Sequence, residues 1–562
     1  MSIGRVALVL VVWPLAGWCQ KPAISKVVNA ASYGAASGAG GSIVSIFGTN
    51  LAICTQSAQA LPLPGQICGT SVSFGGIAAP LFYVSPTQIN LQEPVNWDGT
   101  PAVCANAGSV SGDFVVCTAA GQSEPYTPNG SNWLGIFSLD ASGCGPGAVL
   151  NVAPDGSVSL NSPANSVPPG GYISVFGTGL NANAEVYNAP PDGSPAPFSP
   201  LAKSGTATGA LWDFVQCGDN CPTLFSGLAP GLVGVGQFNF ELPATVREGC
   251  AVPLQILGDS ISQPITVSIG QGGGHCIDPP TAGYGQITWE KTVISHAPPG
   301  ITETDAVSLS LQASPGKQAP PTPTFTEGVG TQLYAYFGPS CPIPGYRSLG
   351  AGTITVQGPQ LAPLTAAATG VEQEQAMSGM VGSGATFVLG TPGLNVIPPE
   401  AGQVSGLSVY QATLPSGTIK PGTFTVTASG GTDVGSFQSS VQIGSGIQIT
   451  FDPAGSVLQG GVPFTIYWTG GDSNEWINVY LISHATGGTA AVDYALRWQV
   501  RASEGQFTIP QNGGLSGNYE LVLEVVPDSS TASAFSASGL SLGGQATWRY
   551  VYRFEGLLAF SY

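Results

Sequence analysis

The sequence predicts an all-β protein made of tandem β-sandwiches, and three observations predict it. Apolar residues alternate with polar ones in short runs bounded by turn residues, the pattern of half-buried strands. Among 562 residues there are 80 glycines and 47 prolines, yet 43% are hydrophobic, which suits turn-rich β structure better than disorder. Finally, the chain repeats itself. "VSIFGTNL" at Val44–Leu51 returns as "ISVFGTGL" at Ile173–Leu180, and "QINLQEP" at Gln88–Pro94 returns as "QFNFELP" at Gln237–Pro243. The second pair of echoes lies about twenty residues farther apart than the first, as expected of a duplicated unit with a surface insertion in one copy.

The strands can be placed one by one. In "GSIVSIFGTNL", Ile43, Ser45 and Phe47 face one way and Val44 and Ile46 the other, with Gly48 ending the run. "CGTSVSFGGIAAPLFYVSPTQINLQEP" holds a strand, a Gly75–Gly76 hairpin turn, a second strand, a Ser85–Pro86 break and a third strand. Helical composition appears only around Leu364–Met380, where glycines argue against a long helix. "GQGGGHCIDPPTAGYGQ" (Gly270–Gln286) reads as a linker, and the proline-rich Ser314–Gly328 as a loop or stiff spacer.

The N-terminus carries Arg5, an apolar run Val6–Trp13 and then Pro14 and small residues, the layout of a secretion signal over residues 1–19 with cleavage after Cys19. Trp18 precedes that cysteine, which disfavours a lipid anchor. No later run reaches the roughly 18 apolar residues of a membrane helix. The formal net charge of −18 opposes a phosphate backbone or an anionic lipid surface, so nucleic acid is excluded as a partner.

In an oxidising compartment the remaining cysteines pair. Spacing points to Cys54 with Cys68, Cys104 with Cys117, Cys217 with Cys221, and Cys250 with Cys276. Cys144 and Cys341 remain, to pair across domains or stay free. A zinc reading of "CGDNC" lacks two further ligands.

"NAASYG" (Asn29–Gly34), "GGSIVSIFGTNLA", "GGIAAPLFYVSPTQINLQEP" and the stretch from "LGIFSLDASGCGPGAVLNV" to "ISVFGTGL" together resemble a family of secreted bacterial proteins of acidobacterial type with paired IPT/TIG-like, immunoglobulin-fold domains. The resemblance covers roughly Lys26–Ile269. In that family the pair commonly closes the chain; here it comes first. "IKPGTFTVTASGGTDVGSFQSSVQI" (Ile419–Ile443), "TIYWTGGDSNEWINVYL" (Thr465–Leu481) and "GQFTIP" (Gly505–Pro510) resemble a second module of the same secretomes. The resemblance implies an array of immunoglobulin-like sandwiches: repeat 1 over 25–134, repeat 2 over 135–278, a sandwich over 287–446 and another over 447–562. It implies no catalytic residue and no cofactor.

The chemistry that catalysis needs is sparse. Three histidines, His275, His296 and His484, show no metal-ligand spacing. "GLSLG" around Ser541 fits a nucleophile-elbow pattern, but no histidine and no helix follow it. Asp155 and Asp192 sit in "PDG" turns, and Asp433 and Asp472 follow glycines as turn caps rather than calcium ligands. The closing alternation Phe554, Gly556, Leu558, Phe560, Tyr562 reads as the last strand of a sandwich rather than of an outer-membrane barrel. The expectation is a non-catalytic exported module of the cell surface whose partner is a polysaccharide or another surface protein. The alternatives are a carbohydrate-active hydrolase with two facing carboxylates and an outer-membrane accessory protein. One binding surface is expected in "NEWINVYL": Ile477, Val479 and Leu481 face the core, which places Trp476, Asn478 and Tyr480 outward as a stacking platform.

Overall fold

A computed structural model describes residues 20–34, 40–95, 113–128, 134–180, 186–205, 208–213, 215–216, 222–258, 261–296, 300–316, 331–333, 341, 344–359, 361–369, 409–450, 457–459, 463–484, 492–509, 517–528 and 532–561. The signal segment, Cys104, Cys217 and Cys221 lie outside them. Strands dominate, and the one helical turn among the described residues that the fold uses is a 3-10 turn at Ala502–Glu504. No helix among the described residues is long and apolar enough to cross a membrane.

Repeat 1 is built from β1 (Ala23–Asn29), β2 (Ile43–Thr49), β3 (Ser71–Phe74), β4 (Leu81–Val84), β5 (Gln88–Gln92) and β6 (Phe114–Thr118). One sheet runs β1-β2-β5-β4 and the other pairs β3 with β6, all antiparallel. Val44, Ile46, Ile89 and Leu91 meet Val72, Phe74 and Phe114 between the layers, and the Phe74 and Phe114 rings lie 4.5 Å apart. Gly75 and Gly76 both take positive φ, 55° and 87°, as a two-residue hairpin turn requires.

Repeat 2 follows the same plan with β7 (Gly135–Ile136), β8 (Tyr172–Thr178), β9 (Gly209–Trp212), β10 (Thr223–Leu228), β11 (Gly236–Glu241), β12 (Gly249–Leu257) and β13 (Ile265–Ile269). Here β8 pairs with β7 and β11, β11 with β10, and β12 with β9 and β13. The extra residues of this copy build a sheet edge where Val186–Tyr187 pairs with Lys203–Ser204.

The echoed motifs now have a physical reason. A Cβ on Gly48 would strike the Ala23 carbonyl oxygen of β1, and one on Gly177 would strike the Gly135 carbonyl oxygen of β7. Both glycines let a neighbouring strand close over the end of the central one. Gln88 donates from its side chain to Asn90 at 2.9 Å, and Gln237 repeats this with Asn239 at 3.0 Å. Thr178 is where the copies diverge. Its hydroxyl is buried, donates to the Gly234 carbonyl and accepts the Ile43 N–H of repeat 1 at 2.8 Å. Around that joint the Gly193 N–H donates to the Gln92 side chain, the Leu63 N–H to the Gly193 carbonyl, and the Val95 N–H to Asp192. Asp192 is therefore more than a turn residue: it ties the repeats together.

The third body comprises β14 (Thr281–His296), β15 (Gly300–Pro315), β16 (Gly422–Ala428), β17 (Phe437–Ile443), β18 (Phe464–Gly470), β19 (Glu475–His484), β20 (Val492–Arg501), β21 (Gly517–Pro527) and β22 (Gly544–Ser561). A continuous ladder runs β20-β19-β21-β22-β14-β15 and on to β16 and β17 through strands at Val409–Leu414, Leu361–Thr369 and Ile354–Gly358. β14 and β22 are parallel, from Gly285 opposite Gly544 to His296 opposite Glu555. Two expectations need correcting. The linker read over 270–286 is already strand from Thr281. The division at 446/447 falls inside one sheet and one core, because β22 pairs with β14 rather than with its sequence neighbours alone. Trp289 against Phe424 (4.9 Å) and Phe437 stacked on Phe535 (4.8 Å) fill that shared interior.

Replacing Gly48 or Gly177 by alanine is expected to cost about 1–3 kcal/mol, the usual penalty of an overpacked contact. Urea unfolding of the purified chain, monitored by Trp and Tyr fluorescence, checks this; an unchanged midpoint for both variants contradicts the strand-closure role.

Candidate functional site

The sequence-expected binding surface lies on β19. Alternation holds: Ile477, Val479 and Leu481 are fully buried in the core, and Trp476, Asn478 and Tyr480 take the opposite face. That face is not an open platform. Trp476 is 5% exposed and Asn478 5%. The guanidinium of Arg501 on β20 lies 3.8 Å over the Trp476 ring, where a sugar would stack. The Trp476 indole N–H and Arg501 both donate to Asp528 at 3.2 Å. Asn478 and Tyr480 each donate to Glu524 Oε2 at 2.9 Å, and Gln499 donates to Asn478 at 2.9 Å. The correction has a simple cause: neighbouring strands carry long charged side chains at the same register, and these lie across the aromatic face.

Glu524 on β21 leads to the centre of the network. Arg549 on β22 donates from Nε to Glu290 on β14 at 2.6 Å and reaches Glu524 at 3.4 Å from Nη1. Thr292 donates to the other Glu290 oxygen at 2.9 Å. Below it, Arg553 and Glu520 form a buried two-point pair at 2.6 and 2.9 Å. Three guanidinium groups thus meet four carboxylates: Glu290, Glu520, Glu524 and Asp528. Glu290 and Glu524 do face each other, but Arg549 fills the space between them, so no gap is left for a glycosidic bond and its attacking water. Sequence reasoning missed these residues. The signal was there in "WRYVYRF", which alternates Trp548, Tyr550, Tyr552 and Phe554 with Arg549, Val551 and Arg553 at period two.

On the inner face at the start of β19, Glu475 is buried and its carboxyl is pushed up, mainly by loss of water, although the Asp472 N–H donates to it at 3.1 Å. Tyr552 is pushed up to about 12 by the same burial.

Elsewhere the polar residues are structural. Asp433 accepts from Arg347 at 2.8 Å and from the Gly350 N–H at 2.9 Å, and that backbone hydrogen bond above all holds its carboxyl below the ordinary range. Asp155 accepts the Ser157 N–H at 2.9 Å within its turn. Ser541 lies in the turn before β22 and accepts the Gly283 N–H at 3.1 Å. His275 is exposed in its glycine loop.

Disulfides join Cys54 to Cys68 and Cys250 to Cys276. Cys117 is also disulfide-bonded; its expected partner Cys104, and the pair Cys217 and Cys221, fall outside the described residues. Cys144 of repeat 2 bonds to Cys341 of the third body, with Cα atoms 5.2 Å apart across 197 positions of sequence. A second contact joins the same two bodies: Arg247 grips Asp213 through two hydrogen bonds of 3.0 and 3.1 Å, and the Tyr346 hydroxyl of the third body donates to the same carboxylate. Burial pushes the Tyr346 phenol well above its ordinary range.

No family model and no curated protein matches the chain. Among solved structures, it is similar to the three-domain titin fragment I67–I69 (an E-to-A variant), at 9% identity over 69% of this chain and 94% of that one, TM-score 0.09. It is also similar to the N-terminal four immunoglobulin domains of Dscam1 isoform 4.44, at 9% identity over 69% and 98%, TM-score 0.10. These neighbours are tandem immunoglobulin-domain proteins, and the likeness goes no further than that.

Two outcomes are expected for this region. Arg549→Met leaves Glu290 and Glu524 without their shared cation and costs about 3 kcal/mol of stability, read as a lowered urea midpoint; a neutral result contradicts the network's role. Glu475 is favoured neutral in the fold, so its contribution is present below the ordinary glutamate value of about 4.3 and is lost as pH rises through its elevated folded value. Glu475→Gln should flatten that region of the stability–pH curve, and an unchanged slope contradicts it.

Proposed function

We propose that this is an exported, non-catalytic module that holds extracellular β-sandwiches at fixed spacing, contacting a surface polysaccharide or another surface protein. In this reading residues 1–19 are removed on export, 25–134 and 135–278 are the two immunoglobulin-like repeats, and 281–561 acts as one further body rather than two. The observation that carries the reading is the crossing between repeat 2 and the third body: one disulfide, Cys144–Cys341, and the separate Arg247–Asp213–Tyr346 cluster. Together with the hydrogen-bonded joint at Thr178, it supports a stiff rod. A disulfide spanning so long a loop restricts the unfolded chain by on the order of 4–5 kcal/mol, and it persists in an oxidising compartment. The occupation of the facing carboxylates by Arg549 favours this reading over a hydrolase.

The test uses the purified mature chain. N-terminal sequencing of exported protein is expected to begin at Gln20. Small-angle scattering is expected to give one well-defined distribution of intramolecular distances for the oxidised chain and a broader one for the Cys144→Ser/Cys341→Ser variant. Indistinguishable curves overturn the fixed-spacing reading, and retention of the protein in the cytoplasm overturns export.

A further inference from the structure

Charge on a core-facing row is the least explained feature of the third body. Along β14, Ile287 and Trp289 enter the core, and Lys291 follows at the same period of two. On β15 the core row Leu311, Leu309, Val307 continues into Asp305 and Glu303. The register sets Lys291 directly opposite Asp305 on one side and Tyr550 of β22 on the other. An amine and two carboxyls therefore share one small area of a sheet's inner face.

Their states differ. Lys291 Nζ lies 2.6 Å from Glu303 Oε1, the diagonal neighbour. Asp305 is fully buried. Its Oδ2 accepts the Ile419 N–H at 2.9 Å, while Oδ1 has no hydrogen-bond partner. Desolvation above all pushes this carboxyl up, towards its neutral, electrophilic form. The neighbouring phenols are engaged elsewhere: Tyr550 donates to the Gly444 carbonyl at 2.9 Å and Tyr552 to the Ile447 carbonyl at 2.6 Å. Directly opposed residues have Cβ atoms about 4.5–5.5 Å apart, so the four-carbon stem of Lys291 can place Nζ on either carboxyl by rotation of its last bonds.

We propose that Lys291 Nζ and Asp305 Cγ become joined by an intramolecular amide bond once the third body has folded, with Glu303 as the proton relay. Glu303 takes a proton from the lysine ammonium, leaving a free amine as nucleophile. The amine adds to Cγ of the protonated Asp305 carboxyl. Glu303 returns its proton to the departing hydroxyl, the C–O bond breaks and water leaves. The nitrogen then gives a second proton to Glu303, which at 29% side-chain exposure passes it to solvent. One C–N bond forms, one C–O bond breaks, and one water and one proton are released, so no oxidant or activating co-reactant is needed. Fixed proximity supplies the drive: well-oriented intramolecular reactions reach effective molarities on the order of 10⁵–10⁸ M.

The experiment is intact-mass spectrometry of the reduced, alkylated mature chain, compared with the mass calculated from its measured N-terminus. The expected result is a deficit of one water, with trypsin failing to cut after Lys291 in the denatured chain and a joined β14–β15 peptide recovered. Lys291→Arg should show its full calculated mass. Asp305→Asn, if it reacts, should lose ammonia in place of water. A wild-type chain of full mass, cut readily after Lys291, overturns the proposal and leaves an ordinary ion pair. A one-water deficit that survives in Lys291→Arg overturns it equally. The wild-type measurement needs no variant to fold.

Discussion

Parallel pairing of β14 with β22 is the constraint on which the third body depends. It joins segments 259 residues apart in sequence, from Gly285 beside Gly544 to His296 beside Glu555. Side chains on both faces of the sheet follow its register. It puts Trp289 beside Trp548 in the core, Glu290 beside Arg549 on the outer face and Lys291 beside Tyr550 on the inner one. A slip of one residue would invert all three placements, because side chains alternate with a period of two. The Glu290–Arg549 contact and the Trp289–Trp548 interior are thus two consequences of one ladder, and the antiparallel β14–β15 pairing adds the lysine–carboxyl cluster beside it.

The outer network also shows why this sheet tolerates so much polar side chain out of water. Each buried carboxylate has a guanidinium or amide donor, and Arg553 with Glu520 has a two-point match. Networks of this kind add little net stability over well-packed hydrophobic residues, but removing one member is costly, since its partners remain buried and unpaired. They favour a single strand register, because only one alignment brings all the pairs together.

Much of the fold was legible because local physics determined it. The glycine of each "FGT" motif lies one residue inside its strand's end, where a neighbour's backbone packs too close for a Cβ, and the Gly75–Gly76 turn needs two positive φ angles; both glycine requirements are written in the sequence. The alternation on β19 was equally plain, down to which residues enter the core. What covers the other face was not, because Arg501, Glu524 and Asp528 come from strands whose register is set by distant pairing. The same limit hid the shared sheet across residue 446 and the role of Thr178, which looks like its counterpart Thr49 until the first repeat is placed against it. Cysteine spacing found the short loops at Cys54–Cys68 and Cys250–Cys276, whereas Cys144 and Cys341 meet only through the packing of two bodies.

The direction of β14 relative to β22 has a mechanical consequence. A pull applied directly to residue 281 and residue 561 acts on opposite ends of two parallel, adjacent strands. Such a pull slides the strands along each other, so the whole row of backbone hydrogen bonds between them resists at once. In an antiparallel hairpin pulled at its open end, the bonds break in succession. The pairing that completes the body is therefore also the geometry best suited to withstand traction along the chain.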